Sequence, residues 1–212
     1  MKQISDGLIY NVLSEYGVNS SGDLCSKVRA YAELLLRWNH KIALTAVTEP
    51  KEVLRRHFGE SFFGAGAAQI EFGRLADVGS GAGFPGIALR LIRPDMKVVL
   101  IEASVKKSTF LREVVRELEL TDVEVMAVRA EDVGSELRSV DFVTARAVGE
   151  HVWLLEWAQK RLLPRGKAVL WLGRSGARSV MLDHNWKWES PVLIPGSERR
   201  FIVVGAPIKA SS

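Results

Sequence analysis

The 212-residue chain has one cysteine, Cys25, and four histidines, and none of its apolar runs approaches the ~18 residues that a membrane-spanning helix needs. One thiol rules out a disulfide framework and a cysteine-built zinc cluster, and it suits a reducing compartment. Asp6 and Gly7 interrupt the N-terminus where a signal peptide would carry an apolar stretch, so a cytoplasmic location without a membrane partner is expected. No Ser-His-Asp or Cys-His constellation is visible, and the single cysteine removes thiol and cysteine-metal chemistry. Charge of one sign is scarce as well. The formal balance of +4 makes a weak field that permits an anionic partner without requiring one. What the chain does have, 47% hydrophobic and 25% charged residues, is the composition of a folded globular protein rather than a disordered one.

The charge is unevenly placed. Residues 1–74 carry +1, residues 75–133 carry −2 and residues 134–212 carry +5, with Arg161, Arg165, Lys167, Arg174 and Arg178 close together in the last third. That basic third is either a solvated face or a surface for nucleic-acid phosphates.

Residues 1–70 read as a helical extension and 71–212 as an α/β domain. In the first part, Leu24, Val28, Tyr31, Leu35 and Trp38 recur at helical spacing, Ile4–Tyr16 makes a shorter helix ended by Gly17, and Pro50 opens a third over Glu49–Phe63. Gly64 to Ala68, rich in small residues, reads as a link. Beyond it, short apolar runs at Leu75–Val78, Val98–Ile101, Val123–Val128, Phe142–Thr144 and Ala168–Leu172 alternate with amphipathic stretches such as Lys106–Leu120. Strands apolar on both faces and alternating with helices predict a mostly parallel, seven-stranded sheet of Rossmann-like form covered on both sides. Trp186–Leu193 and Arg200–Val204, separated by Pro195-Gly196, predict an antiparallel hairpin at its edge.

The most informative segment is Leu75-Ala-Asp77-Val-Gly79-Ser-Gly81-Ala-Gly83-Phe84-Pro85-Gly86, a buried strand running through a glycine loop into a helix. Such a loop lets a ligand lie against the backbone. Two cofactors compete for it. Gly81-x-Gly83-x-x-Gly86 fits a dinucleotide fingerprint, with Glu102 for a ribose, although it begins two residues late because Gly79 already ends the strand. An acidic residue followed by Gly-x-Gly-x-Gly, here Asp77 with Gly79, Gly81 and Gly83, instead resembles the first motif of class I S-adenosylmethionine methyltransferases. That cofactor carries an ammonium and a sulfonium, which favour a nearby carboxylate. Glu102 after the second strand, Arg129-Ala130-Glu131-Asp132 after the third and Ala145-Arg146-Ala147 after the fourth all fall at strand C-termini, where open α/β sheets bind ligands.

A narrower resemblance follows from these residues together with Lys106-Lys107, Phe110-Leu111, Arg37-Trp-Asn39, Leu44-Thr45, Arg56-His57, Glu60-Ser61 and Glu198-Arg-Arg200-Phe-Ile-Val-Val204. They are similar to the bacterial 16S ribosomal RNA guanine-N7 methyltransferase family, also called glucose-inhibited division protein B, over roughly residues 20–205. The Gly83-Phe84-Pro85-Gly86 ending is the most specific element. The resemblance implies S-adenosyl-L-methionine as cofactor, held at Gly79, Phe84, Ala130, Glu131 and Arg146. It also implies a guanine of the 530 loop in 16S rRNA or the 30S particle as substrate, with the protein expected to act as a monomer. Ala43, Glu60, Glu102-Ala103, Ala145 and Leu172 depart from the family's usual Asn, Asp, Asp-Ser, Ser and Lys.

Arg146 is the candidate catalytic-centre residue, with an ion pair to Glu131 or Asp77 as its structural alternative. Asn39, His57, Lys106 and Lys107 are the candidate substrate contacts, the lysines because cations at a helix start oppose its dipole and invite a phosphate. A small-molecule methyltransferase, a non-catalytic RNA-binding assembly factor and a dinucleotide oxidoreductase are the competing functions.

Overall fold

A computed structural model describes residues 4–20, 22–134, 137, 139–146 and 151–208. Helix α1 (Asp6–Ser14) starts at Ser5, whose side chain accepts the Leu8 N–H. It is followed by α2 (Gly22–Asn39), which buries Val28, Tyr31, Ala32 and Leu35 along one stripe. A third helical run comprises α3 (Pro50–Val53), with Pro50 in its first turn, a π-helical segment Leu54–Gly59, and α4 (Glu60–Ala67).

The α/β part then alternates β1 (Gly73–Val78), α5 (Gly86–Ile92), β2 (Met96–Ile101), α6 (Val105–Glu117), β3 (Val123–Met126), β4 (Val140–Arg146), α7 (His151–Gln159), β5 (Leu162–Gly173) and α8 (Arg174–Val180). It closes with β6 (Trp186–Trp188), β7 (Val192–Leu193) and β8 (Arg200–Pro207). The sheet order is β3-β2-β1-β4-β5-β8-β6, with β7 also paired to β8. Pairs among β1 to β5 are parallel, and β8 runs antiparallel to β5, β6 and β7. The expected seven strands form this path; the two-residue β7 is an eighth, because Glu189 to Pro191 interrupts the run read as one strand.

Strand alternation divides the core. Leu75, Val98, Leu100 and Val169 face α1 to α6 in one apolar cluster, while Ala76, Val78, Val99 and Val143 face α7 and α8 in another. The N-terminal helices therefore share their core with one face of the sheet.

The expected link at Gly64 to Ala68 is corrected by the structure: these residues are helical through Ala67, with Ala68 as the cap. Glycine is required there by packing, since a Cβ on Gly64 would lie 2.1 Å from the Trp171 ring. That ring cannot easily yield, because its Nε1–H donates to the Glu60 carbonyl at 2.8 Å. A Cβ on Gly66 would meet nothing within 4 Å. Gly64→Ala is therefore expected to destabilise by about 1–3 kcal/mol through overpacking, and Gly66→Ala to stabilise by about 0.5–1 kcal/mol through helix propensity. Urea unfolding of the two variants checks the contrast.

Candidate functional site

The glycine loop sits at the carboxyl edge of the sheet, between β1 and α5. Gly79, Gly81 and Gly83 have φ values of +67°, +57° and +88°, a region that L side chains resist. The loop is pinned from below by Asp77, which is 1% exposed. One carboxylate oxygen accepts the Thr144 hydroxyl of β4 at 2.8 Å and the other accepts the Gly86 N–H at 3.2 Å. Burial pushes the Asp77 carboxyl up to about 6 against those two hydrogen bonds, and the Glu102 charge pushes the same way.

Glu102, at the end of β2, aims its carboxylate at the loop. Its oxygens accept the Gly81 N–H at 2.9 Å and the Ser104 N–H at 2.8 Å. An ionised carboxylate has roughly four acceptor sites, so capacity for hydroxyl donors remains. A Cβ on Gly81 would meet only the Gly79 carbonyl, at 3.8 Å, which leaves open space before the loop.

The helical layer holds the loop from the side. The Tyr31 hydroxyl donates to the Ala82 carbonyl at 2.5 Å, and a Cβ on Gly83 would lie 2.3 Å from that hydroxyl oxygen. Phe84 is stacked between Tyr31, at a 4.9 Å centroid distance and 6°, and His57, at 4.8 Å and 20°. His57 Nε2 lies 2.9 Å from the Thr45 hydroxyl, while Nδ1 is buried without a hydrogen-bond partner among the described residues. Burial first, then the Arg146 and Arg56 charges, lowers the His57 pKa to about 3, so the imidazole is neutral.

The other expected residues fall as follows. Asn39 holds a loop, its oxygen accepting the Leu44 and Thr45 N–H groups and its amide donating to the Thr45 carbonyl, each at 2.9 Å. Ala130 is buried and Glu131 exposed in the 3-10 turn Ala130–Asp132, fixed by Trp157 Nε1–H donating to the Ala130 carbonyl at 2.7 Å. Lys106 is exposed and Lys107 half-buried in the first turn of α6. Ala147 lies outside the described residues.

Arg146 ends β4 and pairs with Glu60 at 3.0 Å, not with Glu131 or Asp77. Its other terminal nitrogen donates to the Arg56 carbonyl at 2.5 Å. Tyr31, Thr144 and Glu60 were not among the expected site residues. Tyr31 carries only a core signal in the sequence, Thr144 only a strand signal, and Glu60 only its place in a family motif. A separate cavity of about 590 Å³, lined by Tyr16, Phe62, Leu91 and Arg93 among others, lies at the far end of α5 and shares no residue with the loop.

The chemistry of the loop disfavours the dinucleotide alternative. The Gly86 N–H at the start of α5 is already bonded to the Asp77 carboxylate and so is not free to donate to a pyrophosphate. Neither Asp77 nor Glu102 is ion-paired among the described residues. Two carboxylates with no counter-charge beside an open glycine loop suit a cationic ligand.

The sheet order and this loop are those of the class I S-adenosylmethionine-dependent methyltransferase fold. A similar arrangement occurs in a SAM-dependent methyltransferase from Aquifex aeolicus, with a TM-score of 0.61 at 17% identity over 74% of this chain and 93% of that one. It occurs also in a precorrin-6y C5,15-methyltransferase from Geobacter metallireducens, with a TM-score of 0.58 at 16% identity over 69% and 87%. The family model described as rRNA small subunit methyltransferase G (GidB) matches residues 24–187, and the chain belongs to that family. Proteins named ribosomal RNA small subunit methyltransferase G from Desulfitobacterium hafniense and Chloroflexus aggregans are 36% and 34% identical. Those alignments cover 91% and 94% of this chain and 75% and 89% of those proteins.

Asp77 and His57 act oppositely on stability in the acid range. For Asp77 the folded pKa is raised, so its contribution is largest below about pH 4 and is lost as pH rises through about 6. For His57 the folded pKa is lowered, so its contribution is present above about 6.5 and is lost as pH falls toward about 3. Asp77→Asn is expected to steepen the loss of stability between pH 6 and 4, by up to about 3 kcal/mol, and His57→Gln to flatten it. Urea unfolding across that range is the check; an Asp77→Asn profile parallel to wild type would overturn the assignment.

Proposed function

We propose that the protein transfers the methyl group of S-adenosyl-L-methionine to N7 of a guanine in the 530 loop of 16S rRNA. The observation that carries the cofactor assignment is the pair of carboxylates, Asp77 and Glu102, without a cation beside the open glycine loop. Their mutual repulsion is relieved by a positively charged ligand. The RNA assignment rests on membership of the rRNA small subunit methyltransferase G family.

When bound, the cofactor supplies an electrophilic sulfonium methyl. The residues that would hold it are the backbone of Gly79 to Gly83, the Glu102 carboxylate, the Ala130–Glu131 turn and Arg146. Asp77 acts beneath them, keeping the loop in its left-handed conformations rather than presenting its own carboxylate to the surface.

Guanine N7 has an in-plane lone pair and no proton, so no residue has to act as a general base. The site agrees with that requirement: His57, the histidine beside the loop, stays neutral and is stacked on Phe84. Rate then comes from holding two reactants in line, worth up to roughly 7–11 kcal/mol in favourable cases. N7 lies in the deep, narrow major groove of an RNA helix, so a loop or locally opened region is the fitting target.

The test is transfer of labelled methyl to 16S rRNA, naked and in 30S particles, followed by mapping of the modified base. Label at guanine N7 in the 530 loop is expected. Label elsewhere would overturn the site, and cofactor binding without label in either substrate would overturn the RNA assignment. With no proton to remove, kcat is expected to be flat between about pH 7 and 8.5, and Glu102→Ala to weaken S-adenosylhomocysteine binding roughly tenfold, read by calorimetry.

A further inference from the structure

Four charged side chains from three parts of the chain converge on the carboxyl edge of the sheet. Glu60, at the start of α4, is 1% exposed. Its Oε2 accepts Arg146 Nη2 at 3.0 Å and its Oε1 accepts Arg200 Nε at 2.8 Å, while Arg56 Nε lies 3.9 Å from Oε1. The cluster is fixed by backbone as well. Trp171 donates to the Glu60 carbonyl, and Arg146 donates to the Arg56 carbonyl. Arg56 comes from the π-helical segment, Arg146 from the end of β4 and Arg200 from the start of β8.

The charges do not balance. Three guanidiniums surround one carboxylate, a net local charge of +2 among the described residues. Arginine cannot shed its proton to relieve this. Arg56 Nε is buried with no hydrogen-bond partner among the described residues. Arg146 is held below its ordinary pKa by burial, and the Arg56 and Arg200 charges act in the same direction against Glu60. Glu60 balances the buried Arg146, so the excess positive charge lies on the half-exposed Arg56 and Arg200, where an incoming anion can pair with it.

Exposure shows where such an anion would enter. Glu60 and Arg146 form the floor, their side chains 1% and 16% exposed, whereas those of Arg56 and Arg200 are 39% and 35% exposed. The opening adjoins the cofactor loop, because His57, next to Arg56, stacks on Phe84. Guanidinium forks match phosphate oxygens in a bidentate way that a lysine does not.

We propose that Arg56 and Arg200 form a binding site for an RNA backbone phosphodiester, with Glu60 as the positioning residue that aligns both and ties them to Arg146. The proposal rests on the RNA substrate proposed above. It assigns one anchoring phosphate beside the target base, distinct from the basic stretch between Arg161 and Arg178.

The test uses the full chain and a 16S rRNA fragment containing the 530 loop. Binding is measured against salt concentration, together with methyl-transfer kinetics. Arg56→Gln and Arg200→Gln are each expected to reduce the slope of log K against log salt by about 0.7 for a single-stranded contact and to raise KM for RNA roughly tenfold. Arg200→Lys, which keeps the cation, restores the slope. Glu60→Gln keeps all three cations, so its slope is not reduced while kcat falls; a merely structural glutamate would lower the melting temperature without separating kcat from the slope. If Arg200→Gln does not fold, Arg56→Gln, the weakest tie to Glu60, carries the test alone. Folded variants that bind S-adenosylhomocysteine and keep the wild-type slope overturn this site and leave the RNA assignment standing. Wild-type protein that neither binds nor methylates 16S rRNA, as fragment, naked RNA or 30S particle, overturns both.

Discussion

The glycine loop depends on one buried carboxylate. Asp77 is closed off from water, so each oxygen must find a donor inside the protein, and the donors available are the Thr144 hydroxyl and the Gly86 N–H. These two bonds join β1 to β4 and to the start of α5. The chain between Asp77 and Gly86 must then turn back on itself through Gly79, Gly81 and Gly83 at positive φ. Satisfying Asp77 thus ties the loop's two ends together, and burial still holds the Asp77 carboxyl above its ordinary pKa against those bonds.

From that loop outward the site has two electrostatic poles. On the β1–β2 side stand Asp77 and Glu102, with no cation paired to either among the described residues. On the β4–β8 side stand Arg56, Arg146 and Arg200 around Glu60, with cation in excess. The stack of Tyr31, Phe84 and the neutral His57 links the loop to the helical segment that carries Arg56. A cationic cofactor and an anionic nucleic acid are thus drawn to different ends of one edge of the sheet.

The parts of this arrangement visible in the sequence are those written in local periodicity and punctuation. Leu75–Val78 and Val98–Ile101 are apolar runs long enough for buried strands, the stripe from Leu24 to Trp38 has helical spacing, and glycines at 79, 81, 83 and 86 mark the loop. Hidden were the contacts that topology creates. Nothing near Glu60 in sequence announces Arg200, 140 residues away, and a glycine at 64 looks like a link until Trp171 is seen lying on it. Asn39 shows the converse. Its place in a motif suggested substrate, whereas its amide is engaged with the backbone of Leu44 and Thr45. Polar residues in motifs carry chemistry or architecture with equal ease, and only the partners tell which.

The same partners account for an enzyme family site with so little titratable chemistry. The histidine beside the loop is kept neutral by burial and by two arginines, and the buried aspartate spends its oxygens on the fold. Neither is placed to exchange protons with a substrate. What remains is a set of fixed dipoles and charges: amides at the glycine loop, one carboxylate with spare acceptor sites, and guanidiniums held by Glu60. Such groups act by being in place before the reactants arrive, and rigid anchoring makes them effective because no reorganisation is needed when charge moves. Direct displacement at a methyl group asks for alignment and charge placement and for no proton transfer. The scarcity of histidine and cysteine in the sequence is thus consistent with chemistry that uses neither.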